Sequence, residues 1–387
     1  MSATSIDWLL WMAGTVALYW LAPARWRDGL LIALSALFMA VYDPLSAVIL
    51  AVFTTATYWL ARPEPLPGRR TILIGSAIVA VLAFFKVAAG LRHEGADEAG
   101  FLADVAIPLG LSYYAFRCLH YLIERYKGTL PAHGFADFVA YLCFLPTFIA
   151  GPIHRFPAHV RDRHAKEWSA SNLSEGMERI LYGYVRIVVL GNYLVMGVFG
   201  GWIATLGPDQ AALAAYLTML RNGFNLYCQF GGYSDVAIGF ALLLGYRVME
   251  NFHWPFLKKN ISEFWRSWHI SLTSWVREYV YMVVFATLRR PALAALSSMI
   301  VLGLWHEISF RYVVWGAYHG AGIVVWQAVQ RLRRRGPEVT NVWARRALDA
   351  GSILLTFHFV MFGFALVHEP DLGAAMRAWG LVLFWWL

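Results

Sequence analysis

The sequence predicts an all-α polytopic membrane protein, and three observations lead to that fold class. Of 387 residues, 59% are hydrophobic and only 14% are charged, a balance that a soluble domain of this size does not need. Apolar runs of helix length recur along the chain. The basic residues behind the net charge of +8 fall in loops between these runs, which is typical of membrane orientation. We therefore expect the lipid bilayer, and no nucleic acid, as a partner.

The apolar runs predict about ten to twelve transmembrane, re-entrant and interfacial helices. In chain order the runs are 8–22, 29–42, 45–61, 71–90, 101–122, 136–150, 177–199, 211–227, 232–249, 293–305, 310–329, 352–368 and 374–387. Several are shorter than the roughly 20 residues of a straight span, so we expect some to be broken or re-entrant. The first run lacks a preceding basic segment and is followed by Arg25 and Arg27, which predicts a retained helix.

Loop charges predict how the helices are oriented. Basic residues at 25–27, 69–70 and 124–128 indicate cytoplasmic loops, and the acidic segment 93–100 indicates an outside loop. The next basic loop, 154–168, follows after a single apolar run, so simple alternation fails. Either 136–150 is re-entrant or the orientation rule is overridden there, and the GPI at 151–153 favours a turn of the chain back on itself. The basic cluster of Arg331 and Arg333 to Arg335 indicates a cytoplasmic end for 310–329.

The chain is predicted to form one domain over 1–387, because no repeat, low-complexity stretch or long polar linker divides it. Cys118, Cys143 and Cys228 lie in separate apolar segments without CxxC spacing. They are interpreted as buried small hydrophobic residues, and no disulfide or metal site is expected.

Residues 260–281 predict an amphipathic helix that begins at Asn260, with Glu263 completing the cap. Spacings of three and four place one polar set on a single face: Ser262, Arg266, His269, Thr273 and Arg277. An interfacial helix anchored by tryptophans is one interpretation. The other is that the polar face lines a water-accessible cavity, which would make His269 available for chemistry.

Segment 211–249 carries a second polar stripe. Asn222, Asn225 and Gln229 share one helix face, and Tyr233, Ser234 and Asp235 follow a break expected at Gly231 and Gly232. Such side chains are costly in hydrocarbon, about 3 kcal/mol for a central Asp, so they are expected to face protein or a cavity. Hydrogen bonds between helices explain Asn222 and Asn225, whereas Asp235 is a candidate site residue.

The stretch LWHEISFRYVVWGAYHG, residues 304–320, contains two histidines. In a single helix, His306 and His319 would point to nearly opposite sides and would not act as a pair. His319 is expected to form a hydrogen bond between helices, beside a small-residue surface made by Gly316 and Gly320. His306 is expected to be buried and therefore neutral, which is the form that can accept a proton.

Other catalytic signatures are absent from the sequence: GxSxG, HExxH, a phosphate-binding glycine loop and GxGxxG. A histidine base without a protein nucleophile suits direct transfer of an activated group to a hydroxyl.

Several linked segments together resemble the membrane-bound O-acyltransferase family. They are IPLGLSYYAFRCLHYLIERYKG at 107–128, FLPTFIAGPIHRF at 144–156, QFGGYSD followed by the stretch through 281, and GLWHEISFRYVVWGAYHG. The order and number of these segments, over about 107–322, make the resemblance specific. It is strongest to the bacterial branch that acetylates alginate or attaches D-alanine to teichoic acid.

The resemblance implies a ring of helices around a central tunnel, with His306 and His269 as catalytic residues. It implies substrate binding by Gln229, Tyr233, Ser234, Asp235, Asn251, Trp265, Arg266 and Trp305. The chain would be a multi-pass protein of the plasma (inner) membrane, with no bound cofactor or metal. Its co-substrate would be a cytoplasmic acyl thioester, acetyl-CoA or an acyl carrier protein, and its acceptor an envelope glycan or a periplasmic acyltransferase partner.

One residue departs from the pattern, since relatives usually have glycine where this chain has Glu307. A carboxylate there would influence His306 or form an ion pair with Arg311. Three alternatives stay open: a D-alanyl transferase using an acyl carrier protein, a transporter or flippase, and a non-catalytic scaffold. The 27 arginines and 5 lysines favour a GC-rich source and hence polysaccharide O-acetylation.

Overall fold

The computed structural model describes residues 5–93, 107–333 and 340–384. In this part of the chain the regular elements are helical, and the β pairing is an isolated antiparallel bridge between Phe252 and Trp268. The all-α prediction is confirmed. Two compact units form, Met1–Tyr184 with Gly232–Glu250 and Val185–Gly231 with Asn251–Leu387; the single domain stays a prediction.

Among the described residues, the first unit contains eight helices and the C-terminal part of a long helix that it shares with the second unit. They are α1 (Ile6–Leu21), α2 (Ala24–Tyr42), α3 (Pro44–Leu60), α4 (Gly68–His93), α5 (Leu111–Lys127), α6 (Phe135–Leu142), α7 (Phe156–Ala165) and α8 (Ala170–Tyr184). A 3₁₀ turn follows α6 at Leu145–Thr147. Their core is aromatic, with Phe38, Tyr121, Phe138 and Phe156 fully buried. α1, α3, α4 and α6 begin within about three residues of a predicted apolar run, whereas α7 lies in the predicted basic loop 154–168.

The second unit contains both short helices and long ones. They are α9 (Gly200–Ile203), α10 (Ala211–Leu243, which continues into the first unit), α11 (Ile261–Trp265), α12 (Ile270–Val276), α13 (Met282–Leu288), α14 (Pro291–His306), α15 (Phe310–Arg333), α16 (Val342–His368) and α17 (Leu372–Leu383). π-helical turns run over Val185–Phe199 and Arg277–Tyr281, and 3₁₀ turns over Pro208–Gln210 and Pro255–Leu257.

The protein is a polytopic membrane protein. Three described helical stretches are long and apolar enough to cross a bilayer, Gly68–Ala88, Ala170–Ile203 and Val342–His368, and four shorter apolar helices accompany them. Large apolar side chains such as Ile72 and Leu355 are exposed on these helices, as lipid contact requires. The number of embedded helices and their orientation remain predictions. Residues 94–100 of the acidic segment, and Arg334 with Arg335, lie outside the described residues.

Segment 136–150 does not form one long helix. α6 ends at Leu142, and Tyr141 Oη then donates a hydrogen bond to the carbonyl of His154 (2.9 Å). Arg117 of α5, fully buried, donates from Nη1 to the carbonyls of Tyr141 and Leu142 and from Nη2 to Thr147. These bonds satisfy backbone groups that a continuous helix would have paired internally, so the chain turns back here. The re-entrant path within a membrane remains a prediction.

The break expected at Gly231 and Gly232 is wrong, because α10 is continuous from Ala211 to Leu243. The glycines instead allow close helix packing. A Cβ on Gly183 of α8 would lie 2.7 Å from the carbonyl oxygen of Gly232, a separation that no side chain tolerates. Small residues at such a crossing let two backbones approach.

The small-residue surface predicted on α15 is confirmed. A Cβ on Gly316 would lie 2.5 Å from the carbonyl oxygen of Met299, and one on Gly320 would lie 3.0 Å from Cα of Leu296. α14 and α15 therefore pack backbone to backbone, and this contact holds the end of α14 in place.

Candidate active site

A cavity of about 150 Å³ in the second unit is lined by two of the histidines that the sequence singles out, His269 and His306. Its wall is otherwise mostly aromatic and apolar: Leu226, Phe230, Trp265, Trp268, Leu272, Thr273, Leu302, Tyr312, Trp315, Phe364, Val367 and His368. We call it the histidine cavity.

His269 lies in a break between two short helices rather than within one. α11 ends at Trp265, and α12 begins at Ile270 with His269 as its N-cap in the left-handed conformation, φ +46°. That conformation costs a non-glycine residue about 1–3 kcal/mol and persists only where neighbouring contacts enforce it. Strain of this kind is typical of functional sites.

Asn251 enforces the break. Its carbonyl accepts from the backbone N–H of Ile270 (2.9 Å), and its Oδ1 accepts from Ser271 Oγ (2.6 Å). The bridge between Phe252 and Trp268 continues the same pairing. The single helix predicted over 260–281 is therefore wrong, because a strand-like segment 18 residues upstream takes the backbone bonds that the helix would have used. The predicted Asn260 cap is confirmed: Oδ1 accepts from the N–H of Glu263 at 2.9 Å.

The ring of His269 is 3% exposed, and its Nε2 is buried without a hydrogen-bond partner among the described residues. Phe230 contacts it edge-on, with ring centroids 4.5 Å apart. Burial, reinforced by the charge of His306, holds the pKa of His269 well below its ordinary value. A neutral imidazole with one free nitrogen facing a cavity can donate to or accept from a ligand.

His306 is the last residue of α14, and its side chain is exposed. The prediction that it is buried is wrong, because α14 ends at this residue and leaves the ring at the helix terminus. The ring contacts Trp305 (centroids 4.5 Å apart), Tyr312 (5.8 Å) and Trp315 (5.8 Å). An exposed ring on a cavity wall is accessible to a substrate.

Trp305 lies between the two catalytic candidates. Its ring centroid is 6.0 Å from that of His269 and 4.5 Å from that of His306.

Glu307 forms the ion pair expected with Arg311 (3.1 Å), whose Nη1 also donates to the carbonyl of Glu369 (2.6 Å). The carboxylate beside His306 is thus paired with a cation in the first turn of α15.

His319 does not form the hydrogen bond between helices that the sequence predicts. It is fully buried, and both ring nitrogens lack a partner among the described residues. It packs against Trp265 and Trp315, with centroids 5.1 and 4.8 Å away. The expectation is wrong because aromatic neighbours, not polar ones, surround this face of α15.

A second cavity of about 280 Å³ adjoins the first, since Trp265, Thr273 and Leu302 line both. Arg266 and Arg277 lie on its wall, and neither guanidinium group forms a hydrogen bond or ion pair with another described residue. Other polar side chains of this arginine cavity are Ser262, Ser274, Tyr281, Ser298 and Gln327. The polar face predicted for 260–281 thus lines the arginine cavity. His269 is the exception, because the backbone break directs it to the histidine cavity.

The remaining candidate binding residues lie elsewhere. Gln229 donates to Asn192 (2.7 Å) and Asn225 (3.2 Å) in the second unit. Tyr233, Ser234 and Asp235 belong to the first unit, where Asp235 is buried and forms an ion pair with Arg179 (3.2 Å). Of the predicted binding residues, Trp265 lines both cavities and Arg266 lines the arginine cavity. Trp305 lines neither, but its ring packs against both histidine rings. Asn251 acts on His269 through the backbone.

Sequence reasoning did not assign Tyr312, Trp315 and His368 to a cavity wall, whereas Arg277, which it placed on the polar face of 260–281, lines the arginine cavity. Trp315 Nε1 and Trp265 Nε1 are buried without a partner among the described residues, so both are candidate donors. The sequence signal that could have indicated His368 is its position as a lone polar residue at the end of an apolar run. No group of three metal-ligating side chains occurs in the described ranges.

Comparison of the whole sequence with known proteins identifies its family. The model of MBOAT, the membrane-bound O-acyltransferase family, matches residues 95–368. The chain is 32% identical over 391 residues to the probable alginate O-acetylase AlgI of Pseudomonas putida, covering 94% of this chain and 76% of the relative. It is 31% identical over 401 residues to that of Pseudomonas aeruginosa (97% and 73%). It is 29% identical over 288 residues to the teichoic acid D-alanyltransferase of Streptococcus thermophilus (67% and 67%).

Proposed function

Because this chain belongs to the membrane-bound O-acyltransferase family and is an O-acyltransferase, we propose that it moves an acetyl group from a cytoplasmic thioester to a hydroxyl of a cell-envelope or extracellular polysaccharide. Transfer is direct or passes through a periplasmic partner protein. The membrane is the inner membrane. The similarity to two alginate O-acetylases over almost the whole chain supports acetyl as the acyl group and a polysaccharide as the acceptor.

The observation that carries this proposal is that His269 and His306 line one cavity, which adjoins a second cavity lined by Arg266 and Arg277. A thioester donor carries its reactive carbonyl and its phosphate groups at opposite ends. The histidine cavity suits the carbonyl and the attacking hydroxyl. The arginine cavity suits the phosphate end, because guanidinium groups bind phosphate through paired N–H donors.

The reaction begins when His306, in its neutral form, accepts the proton of the acceptor hydroxyl while the oxygen attacks the thioester carbonyl. General-base assistance of this kind is worth about 10²–10⁴ in rate. The carbonyl oxygen then carries negative charge, and a donor at His269 Nε2 stabilises it in a site that excludes most water. When the tetrahedral intermediate collapses, the C–S bond breaks and the proton on His306 passes to the leaving sulfur. The products are an ester and a free thiol.

Release of that thiol tests the proposal. Purified protein in nanodiscs receives acetyl-CoA and a polysaccharide acceptor, and free thiol is measured with time. We expect release that depends on acceptor. A transporter or flippase would give none, which would overturn the enzymatic proposal. Release only from a D-alanyl carrier protein would favour D-alanyl transfer, the activity named for the Streptococcus thermophilus relative.

The arginine cavity has a separate test in donor truncation. Exchanging both Arg266 and Arg277 for Gln is expected to raise KM for acetyl-CoA by about tenfold or more, since charge-assisted bonds are worth about 1.5–3 kcal/mol each. KM for acetyl-N-acetylcysteamine, a thioester without phosphate, is expected to stay unchanged. Equal effects on both donors would place the phosphate end outside this cavity.

The acceptor is identified by comparing the surface glycans of a strain that lacks the protein with those of its parent. We expect mass spectrometry to show loss of acetyl esters from one polysaccharide. Unchanged acetylation, or loss of D-alanyl esters, would contradict the assignment of acetyl transfer to a polysaccharide.

A further inference from the structure

The first unit holds a cavity of its own, of about 190 Å³, beside α7. Its wall contains two histidines and two arginines, His154, His159, Arg155 and Arg247, together with Asp162. None of these residues belongs to the cavities of the proposed acyl transfer. We call it the α7 cavity.

The two histidines of the α7 cavity are the reason to look for a ligand. His154 is 4% exposed and His159 is 3% exposed, and Nε2 of each is buried without a hydrogen-bond partner among the described residues. Their rings lie side by side, with centroids 5.2 Å apart. Buried polar atoms are nearly always paired with protein or bound molecules, so two orphan nitrogens on one cavity wall indicate an occupant.

Charge around the cavity selects the kind of occupant. Burial, together with the charges of Arg117 and, for His159, of Arg163 and Lys166, holds the pKa of both histidines well below the ordinary value. The rings are therefore neutral. Arg163 and Lys166 are paired with Asp28 and Asp137, but Arg117 bonds to carbonyls and a hydroxyl and not to a carboxylate. Its positive field favours an anion over a metal ion.

The one carboxylate on the wall, that of Asp162, does not cancel this field, because its charge is paired with the guanidinium group of Arg161. Asp162 Oδ1 accepts from the guanidinium group of Arg161 (2.9 and 3.0 Å), and Oδ2 accepts from the backbone N–H of Arg247 (3.0 Å). Asp162 thereby fixes the backbone at Arg247 rather than repelling a ligand. The guanidinium group of Arg247 bonds to Asn172 and Glu175 at the surface. Arg155 is the other arginine of the wall and lies next to His154 in the chain.

Size limits the occupant to a small group. Cavities that enclose a whole drug-sized ligand measure about 300–1,000 Å³, and the α7 cavity is smaller. The rim is open, since Arg247 is exposed and Arg155 is half-buried. A single anionic group that extends outwards into solvent or lipid fits these dimensions.

From this combination we propose that the α7 cavity is a second ligand site, which binds the terminal phosphate of a phosphate monoester through Arg155, His154 and His159. Two sources share that chemistry, a soluble phosphate and the headgroup of an anionic lipid such as phosphatidic acid. The site is independent of the proposed acyl transfer, because its residues are absent from the two cavities of the second unit.

Thermal unfolding of the full chain in phosphatidylcholine nanodiscs tests the site. Inorganic phosphate is titrated at constant ionic strength, with chloride as the balancing salt, and phosphatidic acid is introduced into the nanodisc lipid in a second arm. A ligand that binds the folded state raises the melting temperature saturably. We expect such a rise in at least one arm; a rise with phosphate alone identifies a soluble ligand, and one with phosphatidic acid alone identifies a lipid.

Variants locate the effect. Arg155→Gln lies at the rim and leaves the core histidines in place, and it is expected to weaken the apparent affinity about tenfold, as loss of one charge-assisted contact predicts. His159→Gln is expected to do the same if it folds. The double variant Arg266→Gln with Arg277→Gln is the matched control and is expected to keep the full rise.

Two outcomes would overturn the proposal. One is no saturable rise in either arm, which means that the cavity holds water only. The other is a rise that persists in Arg155→Gln and disappears in the control, which means that the phosphate binds in the arginine cavity instead. Acceptor-dependent thiol release by Arg155→Gln is measured in parallel and is expected to match the unmodified chain, so a failure here is distinguishable from a failure of the proposed acyl transfer.

Discussion

Two buried polar side chains, Arg117 in the first unit and His269 in the second, are treated very differently by the fold. Both are nearly inaccessible to solvent. Arg117 donates from both Nη atoms to three carbonyls and a hydroxyl, although its Nε has no partner among the described residues. Nε2 of His269 also has no partner there, and its ring lines the histidine cavity. A buried group that is bonded mainly to the backbone maintains the structure, whereas one that lines a cavity with a nitrogen unpaired is available for chemistry.

The largest effects on activity are expected at the two histidines of the histidine cavity. His306→Ala and His269→Ala are each expected to lower kcat for acceptor-dependent thiol release by about 10²–10⁴, with melting temperature nearly unchanged for His306→Ala because its ring is exposed. His253→Ala is the matched control, an exposed histidine of the same unit that lines neither cavity. Retention of full activity by His306→Ala would remove the general-base mechanism.

The converse is expected at Arg117. Arg117→Lys keeps the charge but loses the planar fork, so some buried carbonyls lose their donor, and the free energy of unfolding is expected to fall by about 2–4 kcal/mol. The melting temperature in nanodiscs measures this change. Arg161→Lys, at an exposed position, is the control and is expected to have almost no effect. If Arg117→Lys retained its melting temperature but lost its activity, the structural assignment would be incorrect.

A smaller effect is expected at Asn251, which positions His269 through the backbone within the second unit. Asn251→Ala removes the acceptor for Ser271 Oγ and should lower kcat by about tenfold, since a buried hydrogen bond that positions His269 is worth about 1–2 kcal/mol. Ser271→Ala removes the same bond from the other side. The double variant is therefore expected to be no worse than Asn251→Ala; additive losses would show that Asn251 contributes by another route.

The smallest effect is expected at Glu307. Its ion pair with Arg311 is partly exposed and worth about 0.3–0.5 kcal/mol, and Arg311 stays held by the carbonyl of Glu369. Glu307→Gly is therefore expected to change kcat by less than about threefold, with Glu307→Gln as the control. An inactive parent chain that gains activity as Glu307→Gly would instead identify a non-catalytic scaffold.

Hydrophobic periodicity predicted the helices closely because a bilayer imposes it on local sequence. α1, α3, α14 and α16 match apolar runs that were visible without a structure. The family resemblance singled out His269 and His306, and both line the histidine cavity. Tyr312 and Trp315 also line this cavity and were not predicted there, since nothing in their local sequence separates a cavity wall from an ordinary helix face.

Sequence alone determined the fold class, the family and the identity of the two histidines, because composition, run length and linked motifs are local properties that survive without any knowledge of packing. Only the tertiary structure decided that the helix after Asn260 breaks at His269, that His306 is exposed at the end of α14, and that Asp235 pairs with Arg179. Each of these depends on a bond or contact between residues distant in the chain, such as that between Asn251 and Ser271, and no local pattern specifies which distant group will compete for a backbone or side-chain bond.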